Sequence, residues 1–333
     1  MIQQIKQRLS TKSFKMILKI SKWLVLFAFL FLAWRYFRWD EISRTLGSLS
    51  PISILIFVLV IFLSRILYAF RWYLIGRVAM KNVPISLAFY VQTNLLAEFV
   101  TIIMPTSLGG EVARVLKLNS KGSRTTLSTA SLLLDRALGI GGMLAVSLIS
   151  LALIGRRIQF DLNALIPERF IVPLVIGLSV SAVLAVVLGF FWLRNPLQQD
   201  RLKRAWELVK SNLSIIGIAF FVSMAAHVVF SLAHYLLLTY LYPLGLIETI
   251  AVILTPQLAR SIPISVLGIS AGEGLMVAGQ MLTGMPRETA MVVTLVALAS
   301  RYLFAFVGFL VEFLKDGIGF FKKAREPQVD DGN

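Results

Sequence analysis

Long apolar runs of helix length alternate along this chain with short polar stretches rich in lysine and arginine. Runs at about 23–39, 51–70, 126–154, 171–193, 213–241 and 288–313 each suffice for a membrane crossing of about 20 residues, and predict six full spans. None shows the period-two alternation of a membrane β-barrel. The pattern therefore predicts an all-α polytopic membrane protein, since a helix satisfies its backbone polar groups within its own segment. Two further apolar regions, 85–113 and 246–285, are broken in the middle.

The two breaks resemble each other. The first reads Pro105-Thr106-Ser107-Leu108-Gly109-Gly110-Glu111, the second Pro263-Ile264-Ser265-Val266-Leu267-Gly268-Ile269-Ser270-Ala271-Gly272-Glu273. Each is Pro-x-Ser, then glycines, then Gly-Glu, and each is followed 25 or 28 residues later by an arginine within an apolar run, Arg136 and Arg301. Thirty helical residues rise about 45 Å, whereas two full crossings need about 60 Å. Region 85–113 is thus expected to be a re-entrant hairpin turning at Pro105 to Gly110; region 246–285 is expected to turn at Pro263 to Gly272, although its length nearly allows two full crossings.

Charge sets the expected topology. Residues 1–22 carry six lysines or arginines and no acid, which holds the N-terminus in the cytoplasm. Threading the spans from there puts 22 of the 33 basic residues in cytoplasmic segments, among them Arg71, Arg77 and Lys81 after the second span. The net charge of +16 follows from this distribution, and no nucleic-acid partner is inferred. Units 51–154 and 213–313 then form an inverted repeat whose hairpins enter from opposite faces, an arrangement that many secondary transporters use to build a midplane site. The chain is expected to divide into a basic cytoplasmic segment (1–22), a membrane domain (23–315) and a cytoplasmic tail (316–333), with both termini on the cytoplasmic side of a plasma (inner) membrane.

Eight charged residues fall within or at the ends of the apolar regions: Arg65, Glu98, Glu111, Asp135, Arg136, Arg260, Glu273 and Arg301. A central membrane charge costs about 2.5 kcal/mol or more, so these are expected to pair or to line a wet cavity. Glu111 and Arg114 are spaced to pair on one helix face. Asp135 and Arg136 are adjacent and point apart, so at least one of them requires a partner on another element. Arg136 and Arg301 are candidate ligands for an anionic head group, since a guanidinium grips phosphate with two parallel hydrogen bonds. Glu111 and Glu273 are candidate counter-charges or proton carriers, and Pro105, Gly109, Gly110, Pro263, Gly268 and Gly272 would shape the breaks. Structural ion pairing between the two halves is the competing reading.

Other signals are weaker. His227 and His234 lie seven apart on one helix face, where packing or a proton relay is expected rather than a metal site. Gln92, Asn94 and Gln257 suit interhelical hydrogen bonds or substrate contact equally. Gly139-Ile140-Gly141-Gly142 lies inside a span, so close helix packing is expected there rather than dinucleotide binding. There is no cysteine and no ATP-binding, metalloprotease or serine-hydrolase motif, so no cofactor, no metal and no ATP-driven pumping is expected, while a membrane-embedded enzyme with Asp135, Glu111 and Glu273 as acid or base stands as an alternative to a carrier.

Pro105-Thr-Ser-Leu-Gly-Gly-Glu111-Val-Ala-Arg114, then Leu134-Asp135-Arg136, then Pro263-Ile-Ser with Gly272-Glu273-Gly274 resemble the flippase-like membrane family that includes the transmembrane region of lysylphosphatidylglycerol synthase. The likeness covers roughly 20–315. It implies an inner-membrane protein linked to translocation of a phospholipid or a polyprenyl-phosphate-linked lipid, with a partner synthase or transferase conceivable. The aminoacyl-transferring soluble domain of the bifunctional synthases is not expected after Lys323, and lysyl transfer is not expected with it.

Overall fold

The computed structural model describes residues 38–80, 83–104, 109–154, 209–257 and 269–316, together with residues 203, 206, 207, 265 and 266. The expected span 171–193 and all but the end of 23–39 lie outside them, as do Arg260, Pro105, Pro263, Gly268 and the tail beyond 316.

Helices α1 (Trp39–Ser48), α2 (Pro51–Ala79), α3 (Leu87–Ile103), α4 (Gly109–Asn119) and α5 (Thr125–Ile154) make up the first part of the described chain. The second part holds α6 (Leu213–Leu238), α7 (Leu246–Gln257), α8 (Ala271–Met281) and α9 (Arg287–Asp316). A two-residue antiparallel ladder, β1 (Ser265–Val266) with β2 (Ile269–Ser270), lies between α7 and α8. The ladder was not expected; it occupies the tip of the second break.

Helices α2, α5, α6 and α9 are long and apolar enough to cross a membrane. Helix α2 starts where Ser50 accepts a hydrogen bond from the Ser53 N–H at 3.1 Å and Pro51 fills the first turn. It runs 29 residues to Ala79, past the expected end at 70, because no proline or polar cluster interrupts Phe70 to Ile75. The expected break in 85–113 is present: α3 and α4 pack as a hairpin. A Cβ on Gly110 would lie 2.3 Å from Thr101 Oγ1 and 2.5 Å from the Ala97 carbonyl oxygen, so only glycine lets the arms approach this closely. The arms hold 17 and 11 residues, hence rise about 25 and 16 Å, short of a hydrocarbon core of about 30 Å. Helices α7 and α8, with 12 and 11 residues, form a second hairpin of the same kind.

The two sets of four helices share one register. Helices α6, α8 and α9 begin a constant 162 residues after α2, α4 and α5 (213 − 51, 271 − 109, 287 − 125). Contacts repeat under this exchange: α3 packs on α9 as α7 packs on α5, α4 on α5 as α8 on α9, and α2 on α3 as α6 on α7. Helices α2 and α6 pack against each other over the largest interface. Phe57 meets His234, Tyr68 meets His227, and Arg71 donates to Ser223 Oγ at 2.9 Å, so the two helices run antiparallel. The repeat is therefore inverted within the bundle, with the hairpins entering from opposite ends.

The polar side chains of the bundle turn inward and large apolar ones face out, as in a lipid-immersed protein. Ser64, Ser131, Ser223 and Glu312 are fully buried, while Ile52, Leu148, Phe221 and Leu314 are more than 60% exposed. Small residues set the close contacts: a Cβ on Gly308 of α9 would lie 2.3 Å from the Leu95 carbonyl carbon and 2.5 Å from the Leu96 nitrogen of α3. Gly308→Ala is expected to cost about 1–3 kcal/mol by overpacking. Thermal unfolding of purified protein should show a clear drop in Tm, whereas Gly217→Ala, whose Cβ would meet nothing within 4 Å, should not lower it.

Candidate functional site

A cavity of about 320 Å³ opens beside the crossing of α2 and α6. Helix α2 contributes Arg65, Tyr68 and Arg71; α3 contributes Asn94 and Glu98; α4 contributes Arg114; α5 contributes Asp135 and Arg136; and α6 contributes His227. Arg65 and His227 stand 162 positions apart (227 − 65), so they are equivalent residues of the two antiparallel helices, and the cavity sits on the pseudo-two-fold axis.

Three sets of ion pairs organise it. Asp135, 3% exposed, accepts from Arg71 Nε at 2.7 Å on one oxygen and faces Arg114 Nη1 at 3.6 Å on the other. Arg136 pairs with Glu111 across the α5–α4 contact. Glu98 pairs with Arg65 through Oε1 and faces Arg301 Nε at 3.7 Å through Oε2, while Arg301 Nη1 lies 3.6 Å from Glu273. Arg301 thus joins Glu98 of the first hairpin to Glu273 of the second, and the two hairpins meet there. The guanidiniums also lie over ring faces: Arg114 over Trp72 at 5.1 Å, Arg71 over Tyr68 at 5.6 Å and Arg65 over Phe304 at 5.9 Å.

Neutral groups complete the wall. His227 Nε2 lies 3.1 Å from the Gly139 carbonyl oxygen, which can only accept, so Nε2 carries a proton. In the neutral ring Nδ1 then accepts from the Tyr68 hydroxyl at 3.0 Å. A Cβ on Gly139 would lie 3.0 Å from Arg71 Nη1, and one on Gly142 would lie 2.6 Å from Ser223 Oγ. These two glycines make room for the Arg71 guanidinium and its hydroxyl partner.

Several expectations change. Arg71, expected at the cytoplasmic face, is 7% exposed inside the bundle, because α2 continues beyond residue 70. Glu111 and Arg114 do not pair with each other; each reaches α5 instead, where Arg136 and Asp135 offer charge across the hairpin contact. Arg136 lines the cavity, whereas Arg301 and Glu273 lie behind Glu98 and do not. Gly109 and Gly110 open α4, and Gly272 is buried in the first turn of α8. The sequence pattern alone did not single out Arg71, Ser223 or the Tyr68–His227 pair; the apolar stretch Trp72-Tyr73-Leu74-Ile75 that follows Arg71 was the available signal for it.

A multi-pass helical membrane protein with two opposed broken hairpins and an arginine-rich internal cavity is the class that fold and site define. Residues 18–308 match the family described as the lysylphosphatidylglycerol synthase TM region, and the chain belongs to that family. No curated protein matches the chain.

Removing one member of a buried ion pair strands the other charge, at about 3–5 kcal/mol. Asp135→Leu is therefore expected to destabilise strongly, since it leaves both Arg71 and Arg114 uncompensated. Adding Arg71→Met should recover part of the loss. Thermal unfolding of the single and double variants checks the coupling, and strict additivity would count against it.

Proposed function

We propose that this protein is a lipid flippase or lipid transporter that passes an anionic, phosphate-bearing head group through the arginine-lined cavity while the acyl chains stay in the bilayer. The observation that carries this reading is the excess of positive charge in the cavity. Its lining holds four guanidiniums, Arg65, Arg71, Arg114 and Arg136, against two carboxylates, Glu98 and Asp135. Among the described residues, counting Arg301, Glu111 and Glu273 from the three sets of pairs as well, five guanidiniums face four carboxylates. A set built for structural pairing alone would balance, because an uncompensated buried charge is costly. An incoming phosphate restores the balance and supplies the oxygens for a bidentate arginine grip.

Arg136 is the first contact. Its side chain is 42% exposed and held by Glu111, a partner that a phosphate can replace. Arg301 holds the two hairpins together through Glu98 and Glu273 and responds when Glu98 changes partner. The substrate is a phospholipid or a polyprenyl-phosphate-linked lipid of the plasma membrane. The basic N-terminus supports cytoplasmic termini, and family membership supports a lipid substrate and a synthase or transferase as a working partner. The chain acts as a carrier rather than as an enzyme. A cavity of about 320 Å³ also suits a small phosphorylated solute, which is the second reading.

The test is translocation of a head-group-labelled anionic lipid in vesicles reconstituted with the full chain. Arg136→Ala is expected to reduce the rate about tenfold or more, the equivalent of losing one charge-assisted contact, with Tm retained because Arg136 is half exposed. Arg301→Ala is expected to abolish transport. Wild-type rates in both variants would end the proposal; uptake of a phosphorylated solute without lipid movement would transfer it to the second reading.

A further inference from the structure

A second cavity, of about 890 Å³, lies back to back with the first. Val91 and Leu95 of α3 line both and form the wall between them. The other walls are largely apolar, with Phe62 and Ile66 of α2, Phe89 of α3 and Val311 of α9. Its volume falls in the usual range for small-molecule sites, about 300–1,000 Å³.

Its charges form a connected set. Glu312, 0% exposed, accepts from Lys117 Nζ on Oε1 and from Gln92 Nε2 on Oε2 at 2.9 Å. Gln92 Oε1 accepts from Lys315 Nζ at 2.6 Å. Lys121 Nζ stands 5.7 Å from the centre of the Phe89 ring. Among the lining residues one carboxylate serves three ammonium groups, so the lining carries two positive charges beyond those it neutralises. Gln92 relays the influence of Glu312 to Lys315 without adding charge, which leaves Lys315 and Lys121 as the lysines that do not contact that carboxylate directly.

The inverted repeat supplies an internal comparison. One register further on, Glu312 corresponds to Ser150, Lys117 to Gly279, Lys121 to Thr283 and Lys315 to Leu153. At that opposite end Met224 and Val146, the counterparts of Phe62 and Gly308, pack with Ile250 and Leu254 into an apolar cluster. The same stations carry apolar packing at one end and border a lysine-lined cavity at the other. Among the described residues, the counterpart positions Ser150, Gly279, Thr283 and Leu153 carry no charge, and packing alone would not need the buried carboxylate and three ammonium groups found here.

We propose that this second cavity binds an anionic amphiphile, its phosphate held by Lys121 and Lys315 and its apolar body against Phe62, Ile66 and Val311. Lys117 stays with Glu312 and fixes the depth to which the phosphate enters. Occupancy of this site is a property of one end of the bundle and does not depend on translocation through the first cavity, so the two readings fail separately.

The chain has no cysteine, and Ala88 lines the second cavity with an exposed side chain. Ala88→Cys therefore gives one thiol whose labelling rate reports occupancy. The full chain carrying Ala88→Cys is placed in phosphatidylcholine nanodiscs with or without phosphatidic acid. Phosphatidic acid is expected to slow labelling about tenfold when it exceeds its Kd by that factor. Lys121→Gln with Lys315→Gln, both exposed positions, should abolish the protection without altering Tm. Equal labelling with and without phosphatidic acid overturns the proposal, as does protection that survives the double variant. Protection by inorganic phosphate in phosphatidylcholine discs equal to that by the lipid overturns the amphiphile and leaves a site for a free anion.

Discussion

A charge inside an apolar bundle must be answered by another charge inside the same bundle, and this one requirement organises the molecule. Asp135 answers Arg71 and Arg114, Glu98 answers Arg65 and Arg301, and Glu111 answers Arg136. These pairs tie α2, α3, α4, α5 and α9 into one set. Water screens a mispaired charge on a soluble protein, but it does so far less here, where a wrong pairing leaves a guanidinium or carboxylate stranded at high cost. The pairs therefore specify which helices meet as well as holding them together. Glycines do the complementary work: Gly110, Gly139, Gly142 and Gly308 let the backbones come close enough for the pairs to form.

The position of the cavities follows from the repeat. Antiparallel packing of α2 on α6 puts Arg65 and His227 at equivalent points of the axis, and both face the first cavity. The described hairpin arms are shorter than the hydrocarbon is thick, and Arg301 joins the two hairpins within the bundle. Family membership and architecture agree on a multi-pass membrane protein. In the proposed reading, the arginine excess in the first cavity selects phosphate.

Much of the fold was legible in the sequence because the membrane imposes long apolar periods and marks the breaks with Pro and Gly. The spans at 51–70, 126–154, 213–241 and 288–313 and the two broken regions all have counterparts in the structure. The partners of the charges were less legible. Glu111 and Arg114 have the spacing of a local pair, yet each crosses to α5, since pairing depends on which helices adjoin and spacing along one helix does not encode that. Arg71 was misplaced because a charge after an apolar run reads as the end of a span, whereas a buried partner, Asp135, lets the helix carry it inward. Glu312 lies inside an expected span and stood out little beside the glycine breaks; Lys117 and Gln92, from distant parts of the chain, give it its place.

The two ends of this scaffold differ in electrostatics while sharing geometry, and the second law limits what such a difference can do. An anion approaching the end that bears Lys117, Lys121 and Lys315 meets an attractive potential, while the described residues of the other end offer Gly279, Thr283 and Leu153 at the same stations. Lopsided attraction of that kind quickens capture on one side and slows escape back to it in proportion, so for any traversing anion it leaves the final distribution across the bilayer untouched. Net pumping would have to draw on a gradient or a coupled reaction, and the lysines by themselves fix only the side from which the encounter is fast.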